Sequence, residues 1–352
     1  MVDAATAGTS FFFVLCQPGA EAVLKRDVAL HHPDLVSAYQ RPGLVTFRGD
    51  AAVTPDSILH SAFARCYGLS LGMARDVDTA LTLLPVAASP LVLHVAERPT
   101  HRAAFAAFEA RPSSLLAERW ARDLRALAPT RVSTAREAPA GALVVTLSVA
   151  EGEPALVGLH RQQRGRVPFA GGAYPIEVPA ESPSRAYAKI EEAIVHFGLT
   201  VRPGETALEL GAAPGGAAFA LMRRGVHVVG VDPGDMDPYV LSYVGPGGAR
   251  LVHHAFKASA LTAAHLPRRV EHLLVDVHLA PPVALRAIRK ALSLVRSHVR
   301  NIVWTVKLND WSLAAQLPAY VAELRSLGVR DAVAQQLVAN RQEVCIAGRV
   351  EA

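Results

Sequence analysis

The chain has 352 residues, 51% of them hydrophobic, which is enough material for two domains, or three, with real cores. No apolar run reaches the ~20 residues of a membrane-spanning helix, and the short Phe11–Leu15 run lacks the basic flank of a secretory leader, so a soluble cytoplasmic protein is expected. A net charge of +5 permits an anionic partner such as nucleic acid without demanding one, and Cys16, Cys66 and Cys345 lie too far apart for a disulfide framework or a zinc site.

In chain order, the first block alternates strand and helix patterns. Phe11–Cys16 reads as a strand, Ala20–Leu30 as a helix, Gly43–Arg48 as a strand and Ser57–Cys66 as a helix. A second block gives a strand at Leu91–Ala96, a long amphipathic helix at Ser113–Leu127, and strands at Ala142–Val149 and Ala155–His160. These divide into an α+β, ferredoxin-like region over 1–80 and a second region over 81–165. Residues 166–183, rich in Gly, Pro and Arg, read as a linker into a domain spanning 184–352. Ser182 is the expected N-cap of the next helix, with Pro183 at its first position and the helix running to about Phe197. From Thr206 onward strands at 206–210, 226–231, 250–254, 271–276 and 301–307 alternate with helices starting near Gly215, Asp235, Ser259 and Pro281. A helix over 312–327 and strands near 331–338 and 342–348 close the chain. This is an α/β fold, a doubly wound parallel sheet ending in an antiparallel hairpin.

The most informative segment is Thr206-Ala-Leu-Glu-Leu-Gly-Ala-Ala-Pro-Gly-Gly216. An apolar strand ends in Glu209 and enters a turn where Gly211, Gly215 and Gly216 let a ligand approach the backbone. The next strand ends in Asp232, where a carboxylate usually grips ribose hydroxyls. The spacing Glu209-x-Gly211-x-Ala213-x-Gly215 fits S-adenosylmethionine enzymes better than dinucleotide enzymes. A G-x-G-x-x-G fingerprint is absent, and Pro214 removes an N–H that a diphosphate cradle would use.

Basic residues are strongly biased: 31 are arginine and only five are lysine. Lys307 ends the buried-strand pattern Ile302–Val306. Burial is expected to depress its pKa, and a neutral lysine can take a proton whereas arginine cannot. Lys189 sits at the edge of the apolar stripe of its helix. Asp276 ends Leu273-Leu-Val-Asp, and Glu343 opens the last strand. Taken singly, a strand-end Asp can simply cap a helix and Glu343 can be a surface acid. The order Lys, Gly-rich turn, Asp, Lys, Glu is far rarer by chance.

That order around Gly211–Gly216 resembles the FtsJ-type ribose 2′-O-methyltransferases. The segments Arg166–Phe169, Pro179–Ala193 and Asn340–Val344 resemble, more narrowly, the bacterial 23S rRNA cytidine 2′-O-methyltransferase M family. Val14–Glu21 resembles that family's N-terminal strand and turn, and the likeness is specific over about 160–350. The resemblance implies a THUMP-type RNA-binding region over 81–165 and a Rossmann-like S-adenosylmethionine methyltransferase domain over 184–352. It implies Lys189, Asp276, Lys307 and Glu343 as the catalytic set: Lys307 as base, Asp276 orienting it, Lys189 lowering its pKa by repulsion and Glu343 holding the lysines. No metal is required.

The resemblance carries the cofactor residues over to Glu209, Gly211, Ala213, Pro214, Gly215, Gly216, Asp232, Ala255, Phe256 and Asp276. The family usually has Asp in place of Glu209, a tryptophan in place of Ala217, and an acid at the adenine side in place of His254. The implied partner is RNA, foremost a cytidine of large-subunit rRNA or its assembly intermediate, with a monomeric enzyme. Arg161, Arg164 and Arg166 are the candidate phosphate contacts. Two other readings remain open: the same chemistry on tRNA or another RNA, and a non-catalytic RNA-binding or ribosome-assembly factor that retains the fold.

Overall fold

A computed structural model describes residues 10–49, 53–100, 114–133, 135–295 and 297–350. The chain divides into two compact units, Met1–Pro175 and Ile176–Ala352.

The first unit is built on one eight-stranded sheet. Its strands are β1 (Ser10–Leu15), β2 (Val36–Arg41), β3 (Leu44–Gly49), β4 (Cys66–Ala74), β5 (Leu91–Glu97), β6 (Val132–Ser133), β7 (Leu143–Ala150) and β8 (Glu153–Arg161), in the order β2-β3-β1-β4-β8-β7-β5-β6. β4 pairs with β8, so the two regions separated at residue 80 in the sequence share this sheet. The helices are α1 (Glu21–His31), α2 (Val77–Leu83) and α3 (Leu115–Leu127). α3 buries Ala117, Trp120 and Leu124 at helical spacing, and Ser114 caps it by accepting from the Ala117 N–H at 3.0 Å. Ser113, the expected start of that helix, lies outside the described residues.

The helix expected over Ser57–Cys66 does not form. Asp27 of α1 takes the Ser61 hydroxyl at 2.6 Å and the Ala62 N–H at 3.0 Å, and Ser57 Oγ takes the Thr54 N–H. Such side-chain partners compete with helical hydrogen bonds. Cys66 then opens β4, which the sequence reading did not find.

The second unit carries a seven-stranded sheet. Its strands are β9 (Thr206–Leu210), β10 (His227–Val231), β11 (Leu251–His254), β12 (His272–Val275), β13 (Asn301–Lys307), β14 (Val329–Gln335) and β15 (Glu343–Val350), ordered β11-β10-β9-β12-β13-β15-β14. The first five are parallel, and β15 inserts antiparallel between β13 and β14. Chain order reverses beside β9, between β10 and β12, and a doubly wound sheet opens a ligand crevice at the strand ends there. The helices are α4 (Ala186–His196), α5 (Gly216–Arg223), α6 (Pro238–Ser242), α7 (Pro281–Val295) and α8 (Leu317–Ser326).

α4 begins later than Ser182 and Pro183 implied. Ser182 is spent in a turn, its N–H on Pro179 and its hydroxyl on the Ser184 carbonyl, so the helix starts at Ala186 with Arg185 in the N-cap position. The helix expected near Ser259 is replaced by short 3-10 turns at Ala258–Ala260 and Ala263–His265. There the His265 ring accepts the Thr262 N–H at 3.1 Å and closes the segment on itself. No helix among the described residues is long and apolar enough to cross a membrane.

Candidate active site

The parallel strands deliver their carboxyl ends to one edge of the sheet. Glu209 is the penultimate residue of β9, Asp232 follows β10, Asp276 follows β12 and Lys307 ends β13. The antiparallel register sets Lys307 directly opposite Glu343, the first residue of β15. α4 packs Tyr187, Ile190, Ala193 and Ile194 into the core of this unit, which turns Lys189 toward the same edge.

The result is a closed, alternating ring of charges. Lys189 Nζ lies 3.1 Å from Asp276 Oδ2 and 2.7 Å from Glu343 Oε2. Lys307 Nζ lies 2.5 Å from Asp276 Oδ1 and 2.6 Å from Glu343 Oε1. The four side chains keep only 12 to 20% of their surface exposed, so solvent screens these pairs weakly. Residues far apart in sequence, from α4 to the last strand, therefore meet as one group.

The electrostatics reverse one expectation. Burial does pull the Lys307 amine down, but the Asp276 and Glu343 carboxylates outweigh it, and its pKa stands above the ordinary 10.5. Lys189 is bound to the same two carboxylates, so its charge is spent on them rather than on lowering Lys307. For Glu343, burial pushes the carboxyl up, while Lys189 and Lys307 overcome it and hold it at about 2. At rest Lys307 is an ammonium and Glu343 a carboxylate.

The glycine-rich turn lies beside this ring. Gly211 has φ +86°, and a Cβ there would run into the Asp276 carbonyl oxygen. This close approach is stitched by Asp276 N–H donating to Leu210 O at 2.9 Å. Gly215 has φ +111°, and a Cβ would meet Val240 and Met236, while one on Gly216 would meet Ser184 ahead of α4. Pro214 and Ala213 complete the turn. Asp232 Oδ1 accepts the Gly234 N–H at 2.7 Å and its Oδ2 accepts the Ala213 N–H at 3.3 Å, which aims the carboxylate and leaves lone pairs for hydroxyl donors.

Glu209 is 2% exposed. Burial first, then the nearby Asp276 and Asp232, push its carboxyl well above the usual range, and its Oε2 has no hydrogen-bond partner. It lines a crevice shared with Lys189, Ala217, Asp276, Thr305, Asn340 and Cys345. A buried acid with one unpartnered oxygen facing that crevice, a turn kept free of Cβ atoms and an aimed Asp232 fit a nucleoside ligand with a polar, cationic tail. At the end of β11, Ala255 is exposed and the half-buried Phe256 ring packs on His254 and His265, with centroids 5.4 and 4.7 Å away. His254 donates Nε2–H to His265 O and His253 donates to Asp232 O at 2.9 Å, so both histidines are structural ties.

Arg161, Arg164 and Arg166 lie in the first unit. Arg161 pairs with Asp56 at 2.7 Å and donates to Gly141 O. Arg166 stacks 3.9 Å over the Tyr67 ring and donates to the carbonyls of Tyr67 and Arg161. Two of the three guanidinium groups thus have internal work, and Arg164 stands exposed.

Sequence reasoning missed Glu192. It is 4% exposed and accepts the Val338 and Ala339 N–H groups at 2.9 and 2.8 Å, which ties α4 to the segment leading into Glu343. Its position three residues after Lys189, on the same helix face, was the available signal. Glu192→Ala is expected to lower stability by about 2–3 kcal/mol, since two buried N–H groups lose a charged acceptor, and to lower kcat by loosening Glu343. Thermal denaturation with steady-state kinetics checks this; a lowered midpoint with full kcat would show that Glu343 is held by other means.

Residues 183–287 match the family model described as FtsJ-like methyltransferase. Three relatives share the name ribosomal RNA large subunit methyltransferase M. That of Teredinibacter turnerae is 36% identical over 33% of this chain and 32% of its own length. That of Cellvibrio japonicus is 31% identical over 48% and 49%, and that of Alkalilimnicola ehrlichii 30% identical over 59% and 56%. The chain spans about half the length of these relatives, or less.

Proposed function

We propose that the second unit, which carries the FtsJ-like methyltransferase match, transfers a methyl group from S-adenosylmethionine to a ribose 2′-hydroxyl of RNA, with a cytidine of large-subunit rRNA as the target. The observation that carries this reading is the closed ring of Lys189, Asp276, Lys307 and Glu343 beside the glycine-rich turn. The family match and the names of the three relatives support it.

The cofactor, when bound, supplies an electrophilic methyl group on a sulfonium. Glu209, Gly211, Ala213, Pro214, Gly215 and Gly216 would hold its tail and backbone-facing side, Asp232 its ribose hydroxyls, and Ala255 with Phe256 its base. Lys307 in its neutral form would take the 2′-hydroxyl proton on Nζ. Asp276 and Glu343 fix the direction of the amine and stabilise the ammonium left after transfer. Lys189 neutralises the same carboxylates, which keeps the ring intact while Lys307 changes charge. The main rate gain would come from holding the ribose hydroxyl in position against the bound methyl donor. A 2′-hydroxyl nucleophile excludes DNA as substrate. The first unit would hold the RNA, a THUMP-type role consistent with the basic chain.

A base held as an ammonium gives a defined pH dependence. Below its pKa the neutral fraction rises about tenfold per pH unit, so log kcat is expected to climb with slope near one from about pH 7 to 9. Unfolding does not mask this: a raised lysine pKa stabilises the fold fully below 10.5 and loses that contribution as pH rises from there through its folded value. Glu343 contributes stability above 4.5 and loses it as pH falls toward 2. A kcat independent of pH across that range would remove Lys307 from the base role.

A further inference from the structure

The ring at the active site is electrically balanced, two ammonium groups against two carboxylates. A ribose 2′-hydroxyl does not arrive alone. Its own 3′-phosphodiester sits on the adjacent ribose carbon, so placing the hydroxyl on Lys307 brings a phosphate within a few ångströms of Asp276 and Glu343. The balanced ring offers that phosphate no net attraction, so holding it calls for cations outside the ring.

Two arginines flank the elements that build the ring, one just before the helix that carries Lys189 and one just before the strand that opens with Glu343. Arg185 immediately precedes α4, and its Nη1 donates to Ala339 O at 3.3 Å. Arg341 lies two residues beyond that carbonyl and two before Glu343. Burial and the Arg341 charge pull the Arg185 pKa down, while Glu343 and Asp276 push it up, so both guanidinium groups and the ring lie within electrostatic reach of one another. Among the described residues neither arginine has a carboxylate at ion-pairing distance. Arg341 Nε is buried and has no hydrogen-bond partner. Two like charges held near each other cost stability in the free protein, and an arriving anion offsets that repulsion. Guanidinium groups match phosphate oxygens in shape as well as charge.

We infer that Arg185 and Arg341 bind the phosphodiester adjoining the reacting ribose, and so select and seat the RNA at the ring. This rests on the proposed RNA substrate. The test uses the full-length chain with Arg341→Gln, Arg185→Gln and the double variant. Three quantities are measured: S-adenosylmethionine Kd by calorimetry, KM for protein-free large-subunit rRNA in labelled methyl transfer, and the salt dependence of RNA binding. The expected result is an unchanged cofactor Kd, an RNA KM raised about tenfold in each single variant, and a salt slope shallower by about 0.7 for one lost phosphate on single-stranded RNA. Arg341→Lys is expected to recover the salt slope but only part of the KM, because it keeps the charge and loses the fork.

Wild-type RNA KM and salt slope in the double variant would overturn the inference. So would a cofactor Kd weakened as much as the RNA KM, which would assign the arginines to the cofactor carboxylate. Failure of the functional reading itself looks different: the wild-type chain then transfers no label to any RNA, and this inference falls with it.

Discussion

Lys307→Arg is expected to abolish methyl transfer while leaving the fold intact. Arginine keeps the positive charge between Asp276 and Glu343 but cannot give up its proton in a protein. General-base catalysis contributes about 10²–10⁴-fold, and kcat should fall by that factor. Lys307→Ala should lose the same activity and, in addition, about 3–5 kcal/mol of stability, because both carboxylates lose one of their two cations in a weakly screened site. The pair of variants separates chemistry from support. Chemical denaturation and single-turnover kinetics on both proteins provide the check. A Lys307→Arg enzyme within a few-fold of wild type would show that the lysine acts only as a fixed charge.

Gly211→Ala is the second large effect. The residue has φ +86°, and its added Cβ would be driven into the Asp276 backbone, which has no room to retreat because Asp276 N–H is bonded to Leu210 O. The left-handed backbone and the overpacking together should cost about 2–4 kcal/mol. The displacement falls on Asp276, which holds both lysines, and a misplacement of about an ångström can cost 10²-fold in rate. The expected variant is less stable and nearly inactive, with both losses traceable to one methyl group. Stability within about 0.5 kcal/mol of wild type would show that the turn and β12 can separate, and would weaken the coupling between cofactor turn and charge ring.

Much of the second unit was legible because its signals are local and redundant. Parallel buried strands read as continuous apolar runs, four of the five ending at Glu209, Asp232, Asp276 or Lys307, and the carboxyl ends of such strands define the crevice. The antiparallel return was readable from the last two strands, although the pairing of Lys307 with Glu343 depends on register, which no local pattern specifies. The start of α4 was misjudged because Ser182 and Pro183 carry a strong capping signature that a preceding turn overrides. In the first unit, Ser57–Cys66 has helical periodicity, and a single carboxylate on α1, Asp27, takes the Ala62 N–H and the Ser61 hydroxyl instead. The direction of the Lys307 pKa could not be read from a buried-strand pattern. Burial alone lowers it, and only the distances to two carboxylates show which influence is larger. The Arg185–Arg341 pair escaped for the same reason, since it joins residues from opposite ends of the unit.

The most direct test of the central claim is methyl transfer from labelled S-adenosylmethionine to total bacterial RNA by the full-length chain, followed by complete nuclease digestion and nucleoside mapping. Label in 2′-O-methylcytidine from large-subunit rRNA is the expected result. Label on a base would contradict the ribose chemistry built on Lys307. Label confined to transfer RNA would keep the chemistry and contradict the target. No label in any RNA, with the cofactor bound, would contradict the enzyme reading and leave a binding factor.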